Sequence, residues 1–190
     1  MKAIAIVLLS VLLVGCVSNI AKDFGKPFEV RLEAKPNQGT VKVLTKAQGY
    51  RSRGKKDGYI GYKPGQSGLT FFAVKNERSV LNCAGGADWV ITHVQLATEG
   101  DPDEQKGTNF GEEQPDWLEE AFPDVNLDNG DLYPPVTPDL GTTFLPVNNK
   151  NAQEGFKLVY YKVTLSPCDD EGGTVSSVAT DPAWGNGGRD

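Results

Sequence analysis

The sequence predicts a mostly β fold, an antiparallel two-sheet sandwich carrying a long acidic insertion. Several short stretches alternate apolar and polar side chains, the period that gives a strand one core face and one wet face. Clusters of turn-forming residues separate these stretches. No window keeps apolar residues at helical spacing over three turns, and the 22 glycines and 12 prolines favour turns over long helices.

The strands follow in order. Residues 28–33 alternate Phe28, Val30 and Leu32 with Glu29, Arg31 and Glu33, and Pro36-Asn37-Gln38-Gly39 turns the chain into a second candidate at 40–46. Further candidates are 58–63, opened by Asp57-Gly58, and 69–75, preceded by Pro64-Gly65-Gln66-Ser67-Gly68. Residues 88–96 alternate well enough to place Val90, Val94 and Leu96, with Thr92 among them, on one face and Trp89, Ile91, His93 and Gln95 on the other. The strongest pattern is 156–165, where Val159, Tyr161, Val163 and Leu165 form one apolar face; Gly172-Gly173 then leads to a last candidate at 174–180. Residues 181–190, with Pro182 and Gly185-Asn186-Gly187-Gly188 around a lone Trp184, read as a flexible C-terminal tail.

The N-terminus carries an address. Lys2 supplies a positive charge, and the 12 residues Ala3 to Val14 are uncharged with only Ser10 polar. That run is too short to span a hydrocarbon core of ~30 Å and has the length of a signal-peptide apolar region. It ends in Leu13-Val14-Gly15-Cys16, which resembles the lipobox of bacterial lipoproteins read by signal peptidase II. The resemblance implies a diacylglyceryl group on the Cys16 thiol, cleavage before Cys16 and palmitate-type acylation of the new amino group. It places the protein in the cell envelope, attached to a membrane. The family's inner-membrane retention signal, an aspartate after the cysteine, is replaced by Val17, so in a Gram-negative cell the expectation is the periplasmic face of the outer membrane. The expected organisation is a signal peptide at 1–15, a lipidated tether at 16–27, a sandwich domain at 28–180 with the insertion at 99–142, and the tail at 181–190. The 175 residues left after cleavage suit one domain.

Export bears on the remaining cysteines. Cys83 and Cys168 are disulfide candidates in an oxidising compartment, the alternative being two buried thiols. Closing so long a loop stabilises by roughly 4.5 kcal/mol on the chain-entropy model. Cys83 precedes the Trp89 strand and Cys168 follows the Tyr161 strand, so a bridge would join two central strands. The arrangement is similar to an immunoglobulin-like architecture, but the Cys and Trp spacing differs from the true family and no homology is claimed.

Charge is unevenly distributed. The chain's net charge is -6, yet residues 99–142 hold 13 acids against one base, Lys106, a local charge of -12 that leaves +6 elsewhere. A segment so long is functional, disordered or partly folded. Within it, 116–122 has the composition of a short helix that docks Leu118 and Phe122, or Trp117, and stops at Pro123. Asp124, Asn126, Asp128 and Asp131 resemble the start of a calcium loop of the EF-hand or dockerin kind, with oxygen side chains at alternate positions. The match is incomplete, because Asn129 stands where the pattern needs glycine and Pro135 where it needs glutamate. An ion-free turn built on Asx side chains is the alternative.

The basic counterpart is Lys42, Lys46, Arg51, Arg53, Lys55 and Lys56, with Lys63 beyond, interleaved with Tyr50, Tyr59 and Tyr62. It reads as a patch for an anionic partner, as a solvated hairpin protecting a sheet edge, or as a surface packed on the acidic insertion. Nucleic acid is not expected as a partner, given the negative net charge. Enzyme chemistry finds little foothold: His93 is the sole histidine, no nucleophile elbow or paired-histidine metal motif occurs, and the acid pairs sit in a run rather than across a cleft. No cofactor is expected apart from calcium on the alternative reading. The expectation is a non-catalytic envelope lipoprotein that binds a protein or glycan near the membrane. The alternative is an enzyme or calcium-dependent binding module using the acidic insertion.

Overall fold

In the computed structural model, which describes residues 26–75, 88–98, 109–168, 175–177 and 183–188, two β-sheets face each other across one apolar core. The first sheet begins with β1 (Phe28–Lys35), which buries Val30 and Leu32 and exposes Glu29 and Arg31. A 3-10 turn at Pro36–Gln38 ends on Gly39 in the left-handed region (φ 63), and β2 (Thr40–Val43) returns antiparallel to β1. The chain then crosses to the second sheet for β3 (Gln48–Gly49) and β4 (Ile60–Tyr62). It comes back as β5 (Gly68–Val74), parallel to β1. The far edge is β8 (Phe144–Asn149), antiparallel to β5, giving the order β2-β1-β5-β8.

The second sheet has the order β3-β4-β11-β9-β6-β7, with β6 at Trp89–Thr98, β7 at Asp131–Tyr133, β9 at Lys157–Pro167 and β11 at Ala183–Asn186. β10 (Val175–Ser177) pairs with the second half of β9, whose first half pairs with β11. The architecture is the expected sandwich, but its sheets are mixed. The pairs β1/β5, β3/β4 and β4/β11 are parallel: the chain visits the other sheet between β1 and β5, and a long loop rather than a hairpin joins β3 to β4.

Two expectations need correction. Residues 181–190, which read as a flexible tail, contain β11, an interior strand between β4 and β9. Trp184 is 0% exposed and packs its ring against Phe72, Phe122 and Tyr161 at centroid distances of 5.6, 4.9 and 4.7 Å. Its Nε1 donates to Thr70 Oγ1 (3.1 Å), which also hydrogen-bonds the Tyr62 hydroxyl at 3.0 Å. Burial of one large ring outweighs the local permissiveness of the glycines around it. The second correction concerns β6. Its register against β9 shifts between Ile91 and His93, a bulge that leaves Thr92 extra and reverses the side-chain parity. Ile91, Val94 and Leu96 therefore share the main core, while Val90 packs apart, beside Cys168.

β9 follows its sequence pattern, with Val159, Tyr161, Val163 and Leu165 all buried. The acidic insertion is built into the fold over its described part, 109–142. The helix α1 (Trp117–Ala121) buries Leu118 and Ala121 with Phe122 next to them, and the chain leaves the helix before Pro123. Gln114, 4% exposed, ties this segment to the end of β6: its Oε1 accepts from Thr98 N (3.2 Å) and its Nε2 donates to the carbonyls of Asn109 and Glu112 (both 2.9 Å). Apolar side chains go inward and the carboxylates of Glu112, Glu113, Glu119 and Glu120 stay outside. Residues 1–25 and 99–108 lie outside the described residues, and with them Cys16 and most of the expected tether. No helix among the described residues is long and apolar enough to cross a membrane.

Candidate functional site

The basic stretch becomes an anchored loop. Gly49 of β3, Gly61 of β4 and Gly185 of β11 stand side by side across the sheet, and the chain between β3 and β4 folds onto them. A Cβ on Gly61 would fall 1.7 Å from the Tyr50 carbonyl oxygen, and one on Gly185 would fall 1.9 Å from the Tyr59 hydroxyl. The glycines are therefore required by close approach, a signal visible only once the three strands are aligned. The Tyr59 hydroxyl donates to Tyr50 O (3.2 Å), and burial raises its pKa. From the core side, the Tyr161 hydroxyl donates to Gly58 O at 2.9 Å, and Gly58 N donates to Thr45 O at 2.7 Å.

This frame presents cations. Arg51 adopts a left-handed backbone (φ 55), and its guanidinium lies between two rings, 5.1 Å from the centroid of Tyr50 and 4.6 Å from that of Phe156. Lys55 Nζ lies 5.6 Å from the Tyr59 ring centroid. Such cation–π placement fixes a positive group without neutralising it. Several other bases are paired with acids: Arg31 with Glu29, Lys35 and Lys75 with Glu33, and Lys46 with Asp57 of the loop itself. Among the described residues, Arg51, Arg53 and Lys55 have no carboxylate at ion-pair distance. Arg51, Arg53, Lys55 and Lys56 are all exposed. Lys42 sits apart from them on β2, opposite Glu33 of β1, and Tyr62 is a core residue whose burial pushes its pKa up to about 12. Phe156 was not marked by the sequence, since it lies in a separate loop more than a hundred residues on. No ion pair joins this loop to the acidic segment among the described residues, and β3 and β7 form opposite edges of the sheet.

The four residues proposed for calcium are placed differently. Asn126 Oδ1 accepts from Asp128 N (3.0 Å), and Asn129 Oδ1 accepts from Asp131 N (2.9 Å), both local Asx turns. Asp131 directs Oδ1 to His93 Nε2 at 2.6 Å and takes an Asn129 amide proton on Oδ2 at 3.0 Å. Asp124 and Asp128 are exposed. Gly130 takes the left-handed turn (φ 74) so that its Cα can approach Leu96 O. Among the described residues no group of three or more His, Cys, Asp or Glu is arranged to hold a metal ion. His93 thus ties β7 to β6.

One feature escaped the sequence altogether. Glu33 and Lys35 of β1, Lys75 just after β5, and Asp88 and Trp89 at the start of β6 line a pocket of about 240 Å³. Hydrogen bonds from Lys35 Nζ (2.6 Å) and Lys75 Nζ (2.8 Å) hold the Glu33 carboxyl down at about 2. Cys168, beside it, is disulfide-bonded; Cys83, its expected partner, lies outside the described residues. Compared with known protein families, curated proteins and solved structures, the chain matches none.

Proposed function

We propose that the chain is a cell-envelope lipoprotein whose sandwich is a non-catalytic binding module, and that the loop at 50–57 is its contact for an anionic partner. The carrying observation is the loop itself, where a ring-clamped Arg51 and three further exposed bases stand on a row of glycines. Arginine offers five donors in a flat fork suited to phosphate or carboxylate, and stacking holds that fork in place before the partner arrives. The lipobox at Leu13-Val14-Gly15-Cys16 supports attachment through Cys16, and Val17 after it favours the periplasmic face of the outer membrane in a Gram-negative cell.

Retention on an anionic glycan matrix tests the contact. The wild-type domain elutes at higher salt than the variant Arg51→Gln/Arg53→Gln/Lys55→Gln, because each neutralised phosphate or sulfate releases a counterion. Equal elution of the two proteins refutes the assignment of the loop.

A further inference from the structure

We propose that the loop at 50–57 is a second membrane contact, resting on the phosphates of anionic phospholipid headgroups in the same bilayer that holds the lipid on Cys16. The inference rests on the lipoprotein reading and adds to it which face of the domain meets the membrane.

Three observations converge on one corner of the sandwich. The chain enters the domain beside the root of the loop. The Phe28 ring lies 3.0 Å from where a Cβ on Gly49 would stand, and meets the Tyr62 ring edge-on at 5.3 Å. Gln48 Nε2 donates to Glu29 O at 3.1 Å, so the first residues of β1 and the start of the loop are stitched together. Next, Arg51 and Lys55 at this corner lie over aromatic rings with no carboxylate at ion-pair distance among the described residues, while Lys46 at the root of the loop pairs with Asp57; Lys26 is exposed just before β1. Finally, the exposed run of acids among the described residues lies outside the loop, and the acids at this corner, Glu29 and Asp57, are paired with Arg31 and Lys46. Glu112, Glu113, Glu119, Glu120, Asp124 and Asp128 are exposed on the segment that ends at β7, the sheet edge opposite β3.

Geometry and charge then act together. Eleven residues lie between Cys16 and Phe28, a span of at most about 40 Å when fully extended. A domain tethered so closely samples the surface potential of the leaflet, which acts within a Debye length of ~8 Å. The basic corner is drawn in and the acidic edge is repelled, so one orientation is favoured. Stable attachment commonly combines an acyl anchor with a basic patch, and this corner supplies the second signal beside the first. Headgroup phosphate fits the Arg51 fork for the same reason a phosphorylated glycan would; proximity to the anchor favours the bilayer.

The test uses the full chain purified from envelopes with its lipid. It is reconstituted into vesicles of phosphatidylcholine alone or mixed with phosphatidylglycerol, and Lys55 and Lys56 are followed by amine-labelling mass spectrometry. The expected result is labelling reduced about fivefold on the anionic vesicles at low salt, restored by high salt, and unaffected on neutral vesicles. Arg51→Gln/Arg53→Gln loses this protection while keeping the wild-type melting temperature. Equal labelling on both vesicles, with lipid confirmed on the Cys16 peptide, overturns the membrane contact and leaves the anchor standing. Equal protection by a soluble phosphorylated glycan without vesicles also overturns it and reassigns the loop to a free polyanion. A chain that carries no lipid and does not enter vesicles overturns the lipoprotein reading and this inference with it.

Discussion

Replacing Trp184 by alanine tests the strand that the sequence hides most completely. The indole is fully buried, packs edge-on or tilted among Phe72, Phe122 and Tyr161, and donates to Thr70 Oγ1. Truncating a buried Trp or Phe to alanine costs about 3–5 kcal/mol, the spread reflecting how far the site collapses. Three ring partners and a lost hydrogen bond place this site at the upper end. Thr70 keeps its bond to Tyr62, so no second group is orphaned and the cost stays near about 4–5 kcal/mol. For a domain of this size that is a fall in melting temperature of roughly 10–20 °C. Urea and thermal unfolding, followed by near-UV circular dichroism, read both quantities. Trp184→Phe retains most of the packing and costs about 1–2 kcal/mol. A loss below about 1 kcal/mol for Trp184→Ala, the ordinary cost at an exposed position, would refute the placement of β11 in the core.

Thr70→Val removes the shared partner of the Tyr62 hydroxyl and Trp184 Nε1; two buried polar groups left without a partner cost about 2–4 kcal/mol, and Thr70→Ser recovers most of it in urea unfolding. Gly61→Ala drives a Cβ into the Tyr50 backbone, so it destabilises the domain more than Gly54→Ala, where a Cβ meets nothing within 4 Å; proteolysis between residues 50 and 58 accelerates only in the former. Glu33, held at about 2 by Lys35 and Lys75, stabilises the fold fully above the ordinary carboxylate range and loses that contribution as pH falls from about 4.5 toward 2. Glu33→Gln therefore flattens the stability curve in that window, and an unchanged acid limb counts against the Lys–Glu–Lys arrangement. Calcium or a chelator shifts the melting temperature by under about 1 °C, because Asn126 and Asp131 already serve turn amides and His93; a rise of several degrees would support a calcium site.

The residues show what was legible in the sequence and what was not. β9 was plain because its core face repeats every second residue without interruption, and α1 because Leu118, Ala121 and Phe122 fall on one side between prolines. The faces of β6 were misassigned because a bulge at Thr92 depends on its pairing with β9, which no local pattern encodes. β8 was overlooked because Pro146 lacks an N–H, a defect tolerated here since β8 is an edge strand. β11 was hidden by its brevity and by two residues, Gly185 and Asn186, that locally favour turns; its stability comes from neighbours on both sides. The cations of the candidate site were readable in order along the chain. Their support was not, since Phe156 and Gly185 reach the loop only through the fold. In the acidic turn, the Asn126 and Asn129 side-chain oxygens accept from turn amides and the Asp131 carboxylate meets His93 and Asn129, contacts that no spacing of acids along the chain reveals.

Mass measurement of the first peptide of the mature protein, taken from the native envelope, bears most directly on the account. The expected peptide begins at Cys16 and carries a diacylglyceryl thioether with an acylated amino group. A peptide that retains Met1 to Gly15, or one with a bare Cys16 thiol, would contradict the membrane attachment from which the proposed function is built.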